Sequence, residues 1–166
     1  MTRGEKVIKF IERYCRVPEG ALVGKNLKLM EFQRRFILEI YDNKKGTARA
    51  YLSVGRKNGK SGLIAAILLA HLVGPEARQN SQIVSGARSR KQAALVFKLA
   101  EKMVRLSPEL SQIVRIIPSQ KSLIGLPMNV EYEAISAEAG TAHGLSPVLA
   151  ILDEVGQVRG PTDAFV

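Results

Sequence analysis

Gly55-Arg56-Lys57-Asn58-Gly59-Lys60-Ser61 joins two runs of opposite character. Before it, residues 47–54 form a short apolar run flanked by turn residues, the pattern of a buried strand. After it, Leu63, Ile64, Ile67, Leu68 and Leu72 recur at helical spacing and predict a helix over residues 60–73, ending near Gly74-Pro75. A glycine-rich turn between a strand and a helix is the setting a phosphate-binding loop requires. Glycine lets backbone amides close around phosphate oxygens, and the helix adds the partial positive charge of its first turn. In that reading Lys60 reaches the β- and γ-phosphates of ATP, and the Ser61 hydroxyl ligates Mg²⁺. The common form of the motif has glycine five residues before the second one; here that position is Val54, and the glycine is Gly55. The competing reading is an ordinary strand-to-helix turn with a solvated lysine.

Downstream, Leu149-Ala150-Ile151-Leu152-Asp153-Glu154 is an apolar strand ending in two adjacent carboxylates. Such a pair at a strand's end suits a metal-dependent phosphoryl-transfer site. Asp153 holds Mg²⁺ near Ser61, and Glu154 polarises the water that attacks the γ-phosphate. Upstream, Gln33 carries an amide that both donates and accepts, matching the edge of adenine; a solvated helical glutamine is the plainer alternative.

Outward from these motifs, the apolar spacing predicts helices over residues 4–16, 30–41 and 89–106. It predicts strands over 82–85, 113–117, 123–124, 130–135 and 148–152. Pro18 and Gly20 break the first helix, and residues 43–46 make a turn. Alternating helices and short apolar strands give an α/β fold with a mostly parallel sheet flanked by helices. The chain is long enough, at 166 residues, for one domain with a real core. No run of 18 apolar residues occurs, so no membrane-spanning helix is expected. The single cysteine, Cys15, has no intramolecular disulfide partner and fits a reducing cytoplasm. One cysteine and two distant histidines, His71 and His143, exclude a Cys/His metal site. His71, late on an apolar helix, reads as a structural residue. The net charge of +10 favours a polyanionic partner, whereas aromatic residues at 5% leave little for base stacking.

Taken over its whole length, the chain resembles the large terminase subunit of tailed phages. The resemblance rests on Pro18-Glu19-Gly20, residues 29–33, the loop from Gly55 to Ser61, residues 137–147, and Ile151-Leu152-Asp153-Glu154. It implies a P-loop NTPase of the ASCE/RecA-like type in two parts. Residues 1–46 form a helical segment whose Gln33 contacts adenine, and residues 47–166 form the ATPase core. The family tolerates a loop without its first glycine and keeps an arginine within it, which makes Arg56 a γ-phosphate contact. The resemblance further implies double-stranded DNA, a portal protein and a small terminase subunit as partners, a homo-oligomeric ring, and action in the bacterial cytoplasm. A coupling segment and a nuclease domain follow the acidic pair in such subunits, so the ATPase sheet is expected to be incomplete here. No cluster of spaced carboxylates in these residues suits a two-metal nuclease. Arg88, Arg90 and Arg159 are the candidates for an arginine supplied to a neighbouring subunit. Two other readings stand beside this one: a helicase-like nucleic-acid-dependent ATPase, and a nucleotide- or DNA-binding module without turnover. Val155-Gly156-Gln157 after the acidic pair departs from the helicase pattern.

Overall fold

The computed structural model describes residues 1–46, 60–87, 89–136 and 147–152. The elements run α1 (Arg3–Tyr14), α2 (Glu31–Tyr41), α3 (Lys60–Leu72), β1 (Gln82–Ala87), α4 (Arg90–Leu106), α5 (Pro108–Ile113), β2 (Val114–Ile117), a 3₁₀ turn (Pro118–Gln120), β3 (Ser122–Gly125), β4 (Val130–Ser136) and β5 (Leu149–Leu152). The expected strand over residues 47–54 lies outside the described residues.

The five strands form one sheet in the order β2-β3-β4-β1-β5. It is mixed rather than mostly parallel: β1 pairs parallel with β4 and β5, while β2–β3 and β3–β4 are antiparallel. The reason is connection length. Four residues separate β2 from β3 and four separate β3 from β4, whereas a parallel crossover needs about a dozen. Lys121 and Asn129 take positive φ, 52° and 53°, to make these reversals. The six-residue helix α5 was not expected from the sequence. Ser107 caps it, accepting from the Leu110 amide, and Pro108 opens it.

Alternation sorts the sheet's faces. On β4, Val130 and Tyr132 are fully buried while Glu131 and Glu133 are exposed. Helices α3 and α4 pack on the buried face and on each other. Helix α3 is apolar nearly all round and buries Leu63, Ala65, Ala66, Leu68, Leu69 and Leu72. It is enclosed because α1 packs against it, outside the sheet, and α1 in turn carries α2.

Helices α1 and α2 are antiparallel. At one end, the Asp42 carboxylate accepts from the Thr2 hydroxyl (2.7 Å) and the Gly4 amide (2.9 Å). At the other, Glu12 accepts from the Leu29 amide and the Arg34 guanidinium, both at 3.1 Å. The start of α1 also meets the end of α3, where Arg3 forms a two-pronged pair with Glu76 at 2.6 and 3.1 Å.

Candidate functional site

Three parallel strands stop together. The register pairs Ala87 with Ser136 and Gly86 with Leu152, so the carboxyl ends of β4, β1 and β5 form one edge. In α/β sheets ligands bind at that edge. The residues that follow β5 in the chain are Asp153 and Glu154.

Helix α3 runs antiparallel to these strands. A Cβ on Gly125 would lie 2.3 Å from the carbonyl oxygen of Leu72, the last residue of α3, and Gly125 pairs with Val130 at the start of β4. The C-terminal end of α3 is therefore at the strands' amino ends. Thirteen helical residues then carry the axis back about 18 Å, which brings the first turn to the carboxyl edge. That first turn begins with Lys60 and Ser61, and its amides lack intrahelical acceptors. Two of the expected elements of a nucleotide site, a helix start and the end of an acidic strand, thus converge on one edge. Gly55, Arg56, Lys57, Asn58, Gly59, Asp153 and Glu154 lie outside the described residues, as do the side chains of Lys60 and Ser61.

Gln33 is in the first turn of α2 and is only 5% exposed, so the solvated alternative does not hold. Its Oε1 accepts from the Met30 amide at 2.9 Å, closing the start of the helix. That bond uses one of the several donor and acceptor positions of the amide group. The C-terminal ends of α2 and α3 are joined by Tyr41 Oη and His71 Nε2, 2.7 Å apart. Helix α1, antiparallel to α2, meets the same joint through Arg3, whose guanidinium lies 5.6 Å from the centre of the Tyr41 ring. Gln33 and Lys60 are thus each at the end of their helix remote from that joint.

His71 is the structural residue the sequence suggested. Burial lowers its pKa to about 4, so it is neutral at physiological pH and bonds to Tyr41. Cys15 is buried, its thiol pushed up to about 12 by desolvation, and it takes no part in the site. Arg90 is exposed at the first position of α4; Arg88, Arg159 and His143 lie outside the described residues. No group of three or more metal-binding side chains occurs among the described residues. Sequence reading missed a buried polar pair on the helix-covered face: Ser85 Oγ and Tyr132 Oη, 2.6 Å apart, link β1 to β4. Strand alternation does place Ser85 and Tyr132 on the buried face, but the tyrosine's apolar neighbours mask its hydroxyl in a sequence pattern. A concavity of about 310 Å³ opens on the other sheet face, lined in part by Gln82, Glu131 and Glu133. Its carboxylates repel phosphate, so it is not the nucleotide site.

Comparison with known proteins bears on this edge. The family model described as "Terminase large subunit, ATPase domain" matches residues 31–162. The chain is 69% identical over 166 residues to "Terminase, large subunit" of Enterobacteria phage HK97, covering 100% of this chain and 33% of that protein. The crystal structure of the HK97 bacteriophage large terminase superposes with a TM-score of 0.91 at 67% identity, over 99% of this chain and 34% of that one. The chain therefore spans about a third of the length of the relatives it matches.

Proposed function

The chain belongs to the terminase large subunits, in their ATPase domain, and from that membership we propose that it binds and hydrolyses ATP to drive double-stranded DNA into a procapsid. The observation that carries the reading is the convergence of two features on one sheet edge. They are the first turn of α3, opening at Lys60-Ser61, and the carboxyl end of β5, which leads into Asp153-Glu154.

The residues fit a magnesium nucleotide. Backbone amides of Gly55, Lys57, Asn58 and Gly59 and the first turn of α3 offer an array of donors to phosphate oxygens. Lys60 adds a mobile positive charge, and Arg56 a planar one directed at the γ-phosphate. Ser61 and Asp153 supply the hard oxygen donors that Mg²⁺ takes. Held there, the metal would supply charge neutralisation to the phosphates. Glu154 orients and polarises the attacking water and accepts its proton. Gln33 recognises the adenine edge with its amide while its oxygen also keeps the Met30 amide satisfied. Catalysis in this scheme is positioning and electrostatics, with no covalent step on the protein.

The wider activity belongs to the whole subunit. The excess of basic residues, 25 Lys and Arg against 15 Asp and Glu, supports backbone contact with DNA that reads no sequence. A homo-oligomeric ring, a portal protein and a small terminase subunit complete the proposed setting, in the cytoplasm of a bacterial host.

The test is titration calorimetry of Mg²⁺-ATP with the wild type and with Lys60→Ala. Saturable binding that the substitution weakens by about a hundredfold or more supports the site, that loss being the order expected for a charged phosphate contact. A folded wild type that binds no nucleotide would overturn it. Binding without turnover in the full-length subunit would leave the nucleotide-binding module as the correct description.

A further inference from the structure

Helices α1 and α2 form one body. A Cβ on Gly4 would lie 2.9 Å from both Asp42 and Leu38, so the two helices touch closely there, and polar ties join them at both ends. Against α3 the pair is held differently. Val7, Ile8 and Ile11 of α1 are buried in the core that includes α3, and such apolar contact is non-directional. Among the described residues, the directional ties to α3 and the turn after it gather at one place. Tyr41 meets His71 at 2.7 Å, Arg3 meets Glu76 at 2.6 and 3.1 Å, and the Arg3 guanidinium lies over the Tyr41 ring.

A further tie, Glu19 to Lys102 at 2.6 Å, crosses from the loop between α1 and α2 to α4. Both of its side chains are about half exposed, and pairs of that kind contribute little. The joint is of a stronger class. Tyr41 is buried and the Glu76 side chain nearly so, and the Arg3 fork grips that carboxylate with two bonds, fixing direction as well as distance. Apolar packing therefore sets how close α1 lies to α3, and the joint sets the angle at which the pair leaves it. Gln33 stands at the other end of α2 from Tyr41, about 12 Å away along the axis. A rotation of about 10° at the joint moves its amide by about 2 Å, whereas a hydrogen bond is lost over about 0.5 Å.

We propose that Arg3, Tyr41, His71 and Glu76 are positioning residues for the base of the nucleotide: from the far end of α2 they set where the Gln33 amide meets adenine. The proposal rests on the reading of Gln33 as the adenine contact and extends it to residues that act only through α2. Helix α3 is itself seated on the sheet, where Leu72 closely approaches Gly125. Loosening the joint therefore moves the α1–α2 pair rather than the helix that begins at Lys60. Affinity for the base and affinity for the phosphates are then separable, and the joint governs the first alone.

Calorimetry on the full chain with two ligands tests it: Mg²⁺-ATP, and Mg²⁺-tripolyphosphate, which keeps the phosphates without the base. The variants are Arg3→Met, Tyr41→Phe and Gln33→Ala, with melting temperatures to fix conditions in which each is folded. Arg3→Met and Tyr41→Phe should each weaken ATP binding by about fivefold or more and change tripolyphosphate binding by less than about twofold. Arg3 is exposed, so its variant decides the matter even where Tyr41→Phe does not fold. Equal weakening of both ligands means that the joint only holds the fold together, and overturns the proposal. Unchanged ATP binding overturns it too. Gln33→Ala tells the two levels apart. A selective loss of ATP there, without one in the joint variants, overturns this proposal and leaves the adenine contact standing. A Gln33→Ala protein that loses neither ligand, or both alike, removes the adenine contact and this proposal with it.

Discussion

Tyr41 Oη and His71 Nε2 lie 2.7 Å apart and tie the last residue of α2 to the penultimate residue of α3. The bond requires a neutral imidazole if the phenol is to donate, and burial holds His71 neutral by lowering its pKa to about 4. Between pH 6.5 and 4 the unfolded chain thus binds a proton that the folded chain refuses. Stability from this source is intact above pH 6.5 and is lost as pH falls toward 4. Urea melts at pH 7.5 and 4.5 should show the wild type losing roughly 2 kcal/mol more than His71→Gln over that interval. Equal losses in the two proteins would show that His71 is not the group responsible.

Gln33 is expected to have two separable roles. Gln33→Glu keeps an oxygen for the Met30 amide but removes the amide hydrogens that adenine needs. Its ATP affinity should fall about tenfold or more, the cost of one lost polar contact. Gln33→Ala should lose affinity and also about 1 kcal/mol of stability, as a helix start loses its cap. A Gln33→Glu protein that binds ATP like the wild type would remove this residue from the site.

Gly125 has no room for a methyl group. A Cβ there meets the Leu72 carbonyl at 2.3 Å and the Val73 side chain at 3.0 Å, and the first of these is backbone. Gly125→Ala should therefore destabilise the fold by about 2 kcal/mol or more, read as a lower urea midpoint. Because α3 is displaced at its far end, nucleotide affinity should weaken as well. An unchanged midpoint would refute the close approach of α3 to the hairpin.

The Ser85–Tyr132 pair predicts non-additive substitutions. Ser85→Ala strands a buried phenol and should cost about 1–3 kcal/mol. Tyr132→Phe in the same chain removes the stranded group, so the double variant should be no less stable than Ser85→Ala alone. Equilibrium melts of the three variants decide it; strict additivity would mean the two hydroxyls do not interact.

The helices were legible because each presents an apolar face, with Pro18 and Gly20 closing α1 and Gly74-Pro75 closing α3. Even so, the face assigned to α3 was too narrow. A helix enclosed by the sheet and another helix layer is apolar all round, and periodicity fades there. The strands among the described residues were found, and the direction of the pairings around β3 was misjudged. Direction is carried by connection length, and four-residue links at 118–121 and 126–129 permit only hairpins. Helix α5 was missed because six residues are too few for a periodic signal; the Ser107-Pro108 start was the available clue. At the candidate site, the motifs declared residue types and order. They did not declare that α3 is reversed against the strands, since that depends on Leu72 meeting Gly125, a contact between residues 53 positions apart. Gln33 was read for its amide alone, and its bond to Met30 became visible only with the backbone in place.

The extreme amino terminus has a practical consequence. Thr2 and Gly4 hold Asp42, and Arg3 holds Glu76 while lying against Tyr41, so three consecutive residues act as a clasp on two helix ends. Proteolytic trimming by only four residues would release that clasp without touching any motif. A purification tag fused directly at Met1 is therefore not a neutral choice for this protein, and a shift in melting behaviour between tagged and untagged material should be looked for there before anywhere else.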